Sequence, residues 1–468
     1  MVIRPSSVWW FLASLLLIRV LAMIWLPLTD PTEARYAEIA RKMAETGNWI
    51  TPQFDYGIPF WAKPPLHTWL SALGILLLGP TPFAARLFIL VASLTMLYAF
   101  WRWANSCVGR DTARTAVLVA ASSAFFFGAS AYVMTDMVLT LGLTLCMAGF
   151  FAGLGGSRSW GWLFFVGIAV GLLAKGPVAT VLAALPIAAF MLWRGGWRDL
   201  LNLPWLGGIA LVLVTVVPWY VAAEIATPGF LYYFIIGEHI ERFLVPGWTG
   251  DLYGAGRAHA YGMIWVYFLA CALPWSFFLP EFFYRLRRGL PIRSQADGLE
   301  LYLFFWVLSP LFVFTAAANI LPAYVLPAIL PAALLGTLLW RSSRMGGDLR
   351  AALAAGIMAV VFAVLTLGAA LFPDLDALPS QAHLISEAGP GRIALLGQRN
   401  YSAEFYTRAT IARFENTDAL AVWLAQGGPA SILVPTPMQA EFVDRFGTST
   451  ELKDSNNRYA LFVSKPSL

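Results

Sequence analysis

Long apolar runs separated by short polar breaks occupy the first 372 positions of the chain. Runs near 8–28, 82–104, 112–132, 137–154, 160–174, 177–193, 204–224, 260–280, 299–317, 321–340 and 351–372 predict eleven membrane-spanning helices. A twelfth run, 64–78, is short and flanked by Pro64-Pro65 and Gly79-Pro80, so it reads as interfacial or re-entrant. No small-x-small cleavage site follows the first run, which therefore reads as an uncleaved span. From Pro373 onward the pattern changes. Beta-rich stretches (393–396, 432–434, 459–463) alternate with amphipathic ones (402–407, 418–426, 439–446), which predicts a small α/β domain over 373–468. The expected fold is an all-α polytopic membrane domain over 1–372 with this small domain at its end. Outer loop 29–81 would carry interfacial helices, and a second outer loop would cover 225–259. No repeat stands out, which counts against an inverted-repeat transporter.

Composition agrees. The chain is 59% hydrophobic and 12% charged, with mean hydropathy +0.68. Soluble proteins carry about 25% charge. Twenty Trp and 33 Phe suit aromatic belts at the two interfaces. A net charge of +5 is weak evidence for nucleic acid, and no nucleic-acid partner is expected. The basic residues instead orient the chain. With Arg4 inside and 64–78 not spanning, the inside loops hold Arg102, Arg110, Arg114, Arg158, Arg194, Arg198, Arg285, Arg287, Arg288, Arg293, Arg341, Arg344 and Arg350. Cys107, Cys146 and Cys271 form no metal or redox spacing and read as buried small hydrophobes.

The outer face then collects Asp30, Glu33, Arg35, Lys63, His67, Asp136, Lys175, Glu238, His239, Glu241, Arg242, Asp251 and His259. Asp136 and Lys175 lie between apolar runs, where a charge usually marks a site. Asp30-Pro31 opens a helix in which Asp30 is either a cap or a reactive carboxylate. Tyr36, Ile39, Ala40 and Met43 form an apolar stripe that predicts a helix lying on the membrane surface. Lys63, between aromatics and Pro64-Pro65, suits an anion at headgroup depth or snorkels to lipid phosphate. Asp136 is either a site residue or the cap of the following span. Glu238 and Arg242, four apart on a helix, either pair with each other or face a ligand. His239 is structural, or a ligand for phosphate or metal. Tyr324 either donates a hydrogen bond to a phosphate or is a belt tyrosine.

Taken in order, TEARYAEIARKM with TGNWITP, PFWAKPPLHTW, TDM, LAKGP, PWYV, PGFLYYF with GEHIERF, LPWSFF and LPAYVLP run from about residue 30 to 331. Together they resemble the GT-C membrane glycosyltransferases, specifically bacterial relatives of the protein O-mannosyltransferases and of the lipid A aminoarabinose transferase. The resemblance implies a polyprenyl-phosphate-sugar donor, an acidic base for the acceptor hydroxyl, inversion at the sugar, and an inner-membrane enzyme with a periplasmic site. It implies Glu33, Asp136 and Asp30 as catalytic candidates, with Glu33 narrowly ahead. Lys63, Arg242, Tyr324 and His239 would hold the donor phosphate, and Arg35, Tyr36, Lys175, Glu238 and His259 the rest of the substrates. Cations flanking an anionic leaving group and a partly dehydrated carboxylate base fit that chemistry.

The chain departs from the pattern at three places. Thr32 stands where the family commonly has Asp, Ala62 where lipid A enzymes have Glu before the lysine, and Ile320 where a Lys commonly stands. These departures point to another sugar or acceptor. The Ala62 departure puts a metal site there in doubt, and a divalent metal stays open. The acceptor is a lipid, glycan or protein. The rival functions are a transporter or flippase of lipid-linked glycans, and a glycan ligase.

Overall fold

The computed structural model describes residues 5–245, 248–254, 259–280, 284, 287, 298–317, 319–341, 347–372 and 378–465. Of the basic inside-loop residues, Arg4, Arg285, Arg288, Arg293 and Arg344 lie outside the described residues, as does the expected domain boundary at 373.

Ten helices build the first half: α1 (Pro5–Trp25), α2 (Thr32–Thr46), α3 (Leu66–Leu78), α4 (Pro82–Val108), α5 (Arg110–Ala121), α6 (Ala124–Ala129), α7 (Thr135–Leu154), α8 (Arg158–Lys175), α9 (Val178–Arg194) and α10 (Trp205–Ala226). Helices Met263–Cys271, Leu299–Thr315, Leu326–Arg341 and Gly347–Leu371 follow. Among the described residues, six helical segments are long and apolar enough to cross a bilayer: 8–25, 82–108, 135–154, 205–226, 322–340 and 351–371. The chain is a polytopic membrane protein.

Two expected spans are interrupted. The run 112–132 breaks between α5 and α6, where Ser122 Oγ and Ser123 Oγ donate back to the carbonyls of Leu118 (2.6 Å) and Val119 (2.9 Å). Such back-bonding bends helices. The run 260–280 ends its α-helix at Cys271, and a 3-10 turn, Trp275–Phe278, resumes after Pro274, which has no N–H to give. Helix α3 has 13 residues, about 20 Å at 1.5 Å per residue, which is shorter than a bilayer core.

Helix α2 differs more from expectation. Its apolar stripe is buried in protein: Tyr36, Ile39, Ala40 and Met43 keep 6% exposure or less. They pack in one cluster with Phe60, Ala72, Ala84 and Phe405. The helix thus lies between the membrane helices and the C-terminal domain, not on lipid. A two-stranded hairpin, β1 (Gln53–Asp55) and β2 (Ile58–Pro59), follows it.

The C-terminal domain is a five-stranded mixed sheet of β3 (Arg392–Leu396), β4 (Ala412–Phe414), β5 (Ala430–Pro435), β6 (Thr450–Ser455) and β7 (Tyr459–Ser464), in spatial order β4-β3-β5-β7-β6. The three expected strands form its middle. The two missed strands are the edges; β6 reads Thr-Glu-Leu-Lys-Asp-Ser, and its exposed positions leave no alternation to read. All three cysteines are buried and unbridged.

Helices α7 and α8 pack antiparallel with backbones nearly touching. A Cβ on Gly167 would lie 2.3 Å from the Cys146 nitrogen, so only glycine permits this approach. The pairing sets the start of α7, with Asp136, beside the end of α8, with Lys175.

Candidate active site

Asp136 and Lys175 meet at that end of the hairpin, with Nζ donating to Oδ1 at 2.5 Å. Both side chains are nearly enclosed, 8% and 9% exposed. The Lys175 ammonium also lies 4.0 Å from the centre of the Tyr324 ring, a cation–π contact. Gly176 follows with a φ of +82° and ends α8; a Cβ there would meet Phe234 at 2.4 Å.

A second charge cluster grows from the segment 230–244. Its middle, Tyr233–Glu241, is π-helical, a winding that recurs at functional sites. Five-residue spacing then aligns side chains, and Tyr233 Oη donates to Glu238 Oε1 at 3.3 Å. Lys63 Nζ donates to Glu238 Oε2 at 2.6 Å, and Arg242 Nη1 lies 3.0 Å from Oε1. Arg242 reaches Asp251 as well, at 3.3 Å. Burial alone would raise the Glu238 carboxyl, but Lys63 and Arg242 outweigh it and hold it below the ordinary carboxylate value.

Tyr36 lies within electrostatic reach of both clusters, of Asp136, Glu238 and Lys175. Burial, helped by those carboxylates, raises its phenol above the ordinary value. Arg35 beside it donates to the Tyr253 carbonyl at 2.7 Å and lies over the rings of Tyr36 and Tyr401.

The other expected residues sit differently. Glu33 is fully buried, and Arg86 grips both of its oxygens at 2.8 Å. Thr29 gives Oε2 two further bonds, from N at 3.1 Å and Oγ1 at 3.2 Å. Arg86 also donates to the carbonyls of Met23, Leu26 and Pro27, so this pair ties α2 to the ends of α1 and α4.

Asp30 does not cap α2, whose N-cap is Pro31 with no side-chain bond. It accepts from Ser402 N at 2.9 Å and from Ser402 Oγ, which joins the first loop to the C-terminal domain. Arg413 to Asp55 (2.6 Å) and Leu28 N to Tyr406 Oη (2.8 Å) strengthen that junction.

His239 faces two carbonyls, with Nδ1 2.7 Å from Phe234 O and Nε2 3.2 Å from Lys175 O. Burial holds its imidazole below the ordinary value, so the neutral ring donates once, through the shorter contact. Such a ring is a wedge between helices. His259 is within 3.4 Å of Tyr267 Oη and has no hydrogen bond or ion pair to either cluster among the described residues. Among the described residues, no three His, Cys, Asp or Glu side chains converge as metal ligands would.

Sequence reasoning missed Arg86 and passed over Asp251, Tyr233 and Tyr253. Arg86 had a usable signal, an ionisable residue inside an apolar run. The tyrosines had none, because belt tyrosines look the same.

Burial raises the Asp30 carboxyl above its ordinary value despite the Ser402 bonds. The junction therefore does not need Asp30 ionised, and any preference for the protonated acid fades as pH rises through the raised value. Asp30→Asn should cost about 1 kcal/mol or less. Asp30→Ala removes the acceptor, and should open the 378–465 domain to limited proteolysis while α1–α10 stay resistant. Equal protection in Asp30→Ala and the parent would remove Asp30 from the junction.

Residues 8–234 match the dolichyl-phosphate-mannose-protein mannosyltransferase family. The chain is 32% identical over 318 residues to the undecaprenyl phosphate-alpha-4-amino-4-deoxy-L-arabinose arabinosyl transferase of Erwinia tasmaniensis, a match covering 66% of this chain and 54% of the relative. Its Pseudomonas aeruginosa counterpart is 32% identical over 380 residues, covering 77% and 65%. The crystal structure of ArnT from Cupriavidus metallidurans bound to undecaprenyl phosphate superposes with a TM-score of 0.79, over 99% of this chain and 98% of that one, at 19% identity. The chain is related to these aminoarabinose transferases. Its matches span about half to two thirds of the curated relatives' length. That superposition takes in the C-terminal sheet domain as well.

Proposed function

We propose that this chain is an inverting glycosyltransferase of the bacterial inner membrane, moving a sugar from a polyprenyl phosphate to an acceptor hydroxyl on the periplasmic side. One observation carries the reading: Lys63 and Arg242 converge on a single carboxylate, Glu238, with the Asp136–Lys175 pair across Tyr36. Lys63 and Arg242 are balanced by Glu238 and Asp251, and a phosphate would seat there by taking the place of Glu238 on both cations, each adding a charge-assisted bond as the leaving group takes on charge. The acceptor oxygen attacks the anomeric carbon, the bond from that carbon to the phosphate oxygen breaks, and its electron pair leaves with the phosphate. The acceptor proton passes to a carboxylate.

Asp136 is the best placed to take that proton, because among the described residues Lys175 is its single cationic partner. Glu33 is enclosed by Arg86 and Thr29, Glu238 is shared by two cations and Tyr233, and Asp30 is held by Ser402. The preference read from the sequence for Glu33 therefore passes to Asp136. Lys175 and Tyr324 steady Asp136, and Arg35 and Tyr36 line the approach between the clusters.

An apolar cavity of about 520 Å³ includes Leu311 and Ile329, on the helices that carry Phe314 and lead out of Tyr324. It suits an isoprenoid or acyl chain. The names of the curated relatives and the undecaprenyl phosphate in the solved relative support a lipid-phosphate donor. Thr32, Ala62 and Ile320 favour a sugar or acceptor other than aminoarabinose and lipid A; the acceptor class is a lipid, glycan or protein.

Mass spectrometry of envelope lipids and glycoproteins, with and without the protein, tests this. One pentose- or hexose-bearing species should vanish without it. If every glycoconjugate persists while the lipid-linked sugar shifts between leaflets, the chain is a flippase instead. Orientation follows separately. Cysteines placed at Thr249 and Ser455 should react with an impermeant reagent from outside, and one at Ser157 should not. Labelling of Ser157 alone would invert the proposed topology.

A further inference from the structure

We propose that the groove between α1, α4 and α5 binds one anionic phospholipid, with the lipid phosphate on Arg19. The groove has a volume of about 370 Å³ and is walled by Trp9, Leu16, Leu94, Leu97 and Tyr98, with Arg19 reaching into it. Trp9 and Tyr98 are 46% and 59% exposed, so it opens sideways to the bilayer.

Arg19 lies six residues before the end of α1, about 9 Å below it at 1.5 Å per residue. Its side chain is 9% exposed. Its Nε is buried without a hydrogen-bond partner, and no carboxylate pairs with it among the described residues. The charges near enough to act on it are Arg86 and Glu33. Glu33 is already committed to Arg86 through both oxygens. Two guanidinium groups thus face one carboxylate, and one positive charge is left over. A buried charge at that depth is retained where a counter-charge meets it.

The other cation of the groove does not share this need. Arg114 has Asp111 at 3.5 Å and the Trp9 ring at 5.6 Å. From Arg19 down to Trp9 the apolar walls run about 15 Å along α1, room for much of one acyl chain below a phosphate on Arg19. A free phosphate ion would use the guanidinium and leave the walls bare. Only an anionic lipid uses both.

The test compares the full-length protein in nanodiscs of phosphatidylglycerol with phosphatidylcholine against phosphatidylcholine alone, followed by native mass spectrometry. The parent should retain one phosphatidylglycerol and melt higher in the anionic discs. Arg19→Met should weaken retention about tenfold or more, and Arg19→Lys should keep most of it. Leu94→Trp, which fills the groove and leaves Arg19 intact, should also lose the lipid. If Arg19→Met fails to fold, Leu94→Trp decides alone. Parent-like retention in the folded variants would overturn the site. So would a retained lipid that proves to be polyprenyl phosphate, or equal stabilisation by inorganic phosphate.

Discussion

Asp136→Asn is expected to lower turnover by a factor of about 10²–10⁴ while leaving donor affinity nearly unchanged. Asparagine keeps the volume and can still accept from Lys175, and the glycine-packed α7–α8 hairpin should hold, but losing the buried ion pair should lower the melting temperature here too. What disappears is the capacity to take a proton. Glu33→Gln should fail in another way. It breaks the two-point grip of Arg86 and leaves that guanidinium buried and unpaired, a loss of about 3–5 kcal/mol. Its signature should be low yield and a lowered melting temperature. Single-turnover rates on folded protein separate the two. Normal chemistry in Asp136→Asn beside a folded but inactive Glu33→Gln would return the base to Glu33.

Lys63→Ala and Arg242→Ala should each weaken donor binding by about 1.5–3 kcal/mol, or roughly 10- to 100-fold. The effect should fall on the donor KM and on the Kd for undecaprenyl phosphate, with membrane insertion intact. Lys63 should show the cleaner effect, because Arg242 also holds Asp251. The lowered value of the Glu238 carboxyl adds a sign. Its pairing stabilises the fold above the ordinary carboxylate value and is lost as pH falls through the depressed one, so the pair is intact at neutral pH. Parent-like donor affinity in both variants would reduce these cations to headgroup anchors.

Much of this was legible in the chain. Apolar runs located the helices, because a bilayer fixes their length. Asp136 and Lys175 stood out as charges between apolar runs, and the structure joins them. The i, i+4 spacing of Glu238 and Arg242 offered their ion pair as one of two readings, but gave no sign of Lys63, which comes from 175 residues away. The fate of α2 was not legible. An amphipathic stripe looks the same whether it meets lipid or another domain, and here a distant helix containing Phe405 covers it. The role of Asp30 was hidden for the same reason, since a cap and a tether to Ser402 begin from the same Asp-Pro.

Glu238 has a bearing on how the catalytic cycle ends. A polyprenyl-linked sugar phosphate is a diester with one negative charge. The carrier left behind is a monoester, with a charge of about −1.5 to −2 near neutral pH. A seat of bare cations would therefore hold the spent carrier more tightly than the loaded one, and each round would stall on its own by-product. Under the proposed function Glu238, already bonded to Lys63 and Arg242, would act as a resident competitor, retaking both cations as the carrier loosens and speeding its exit.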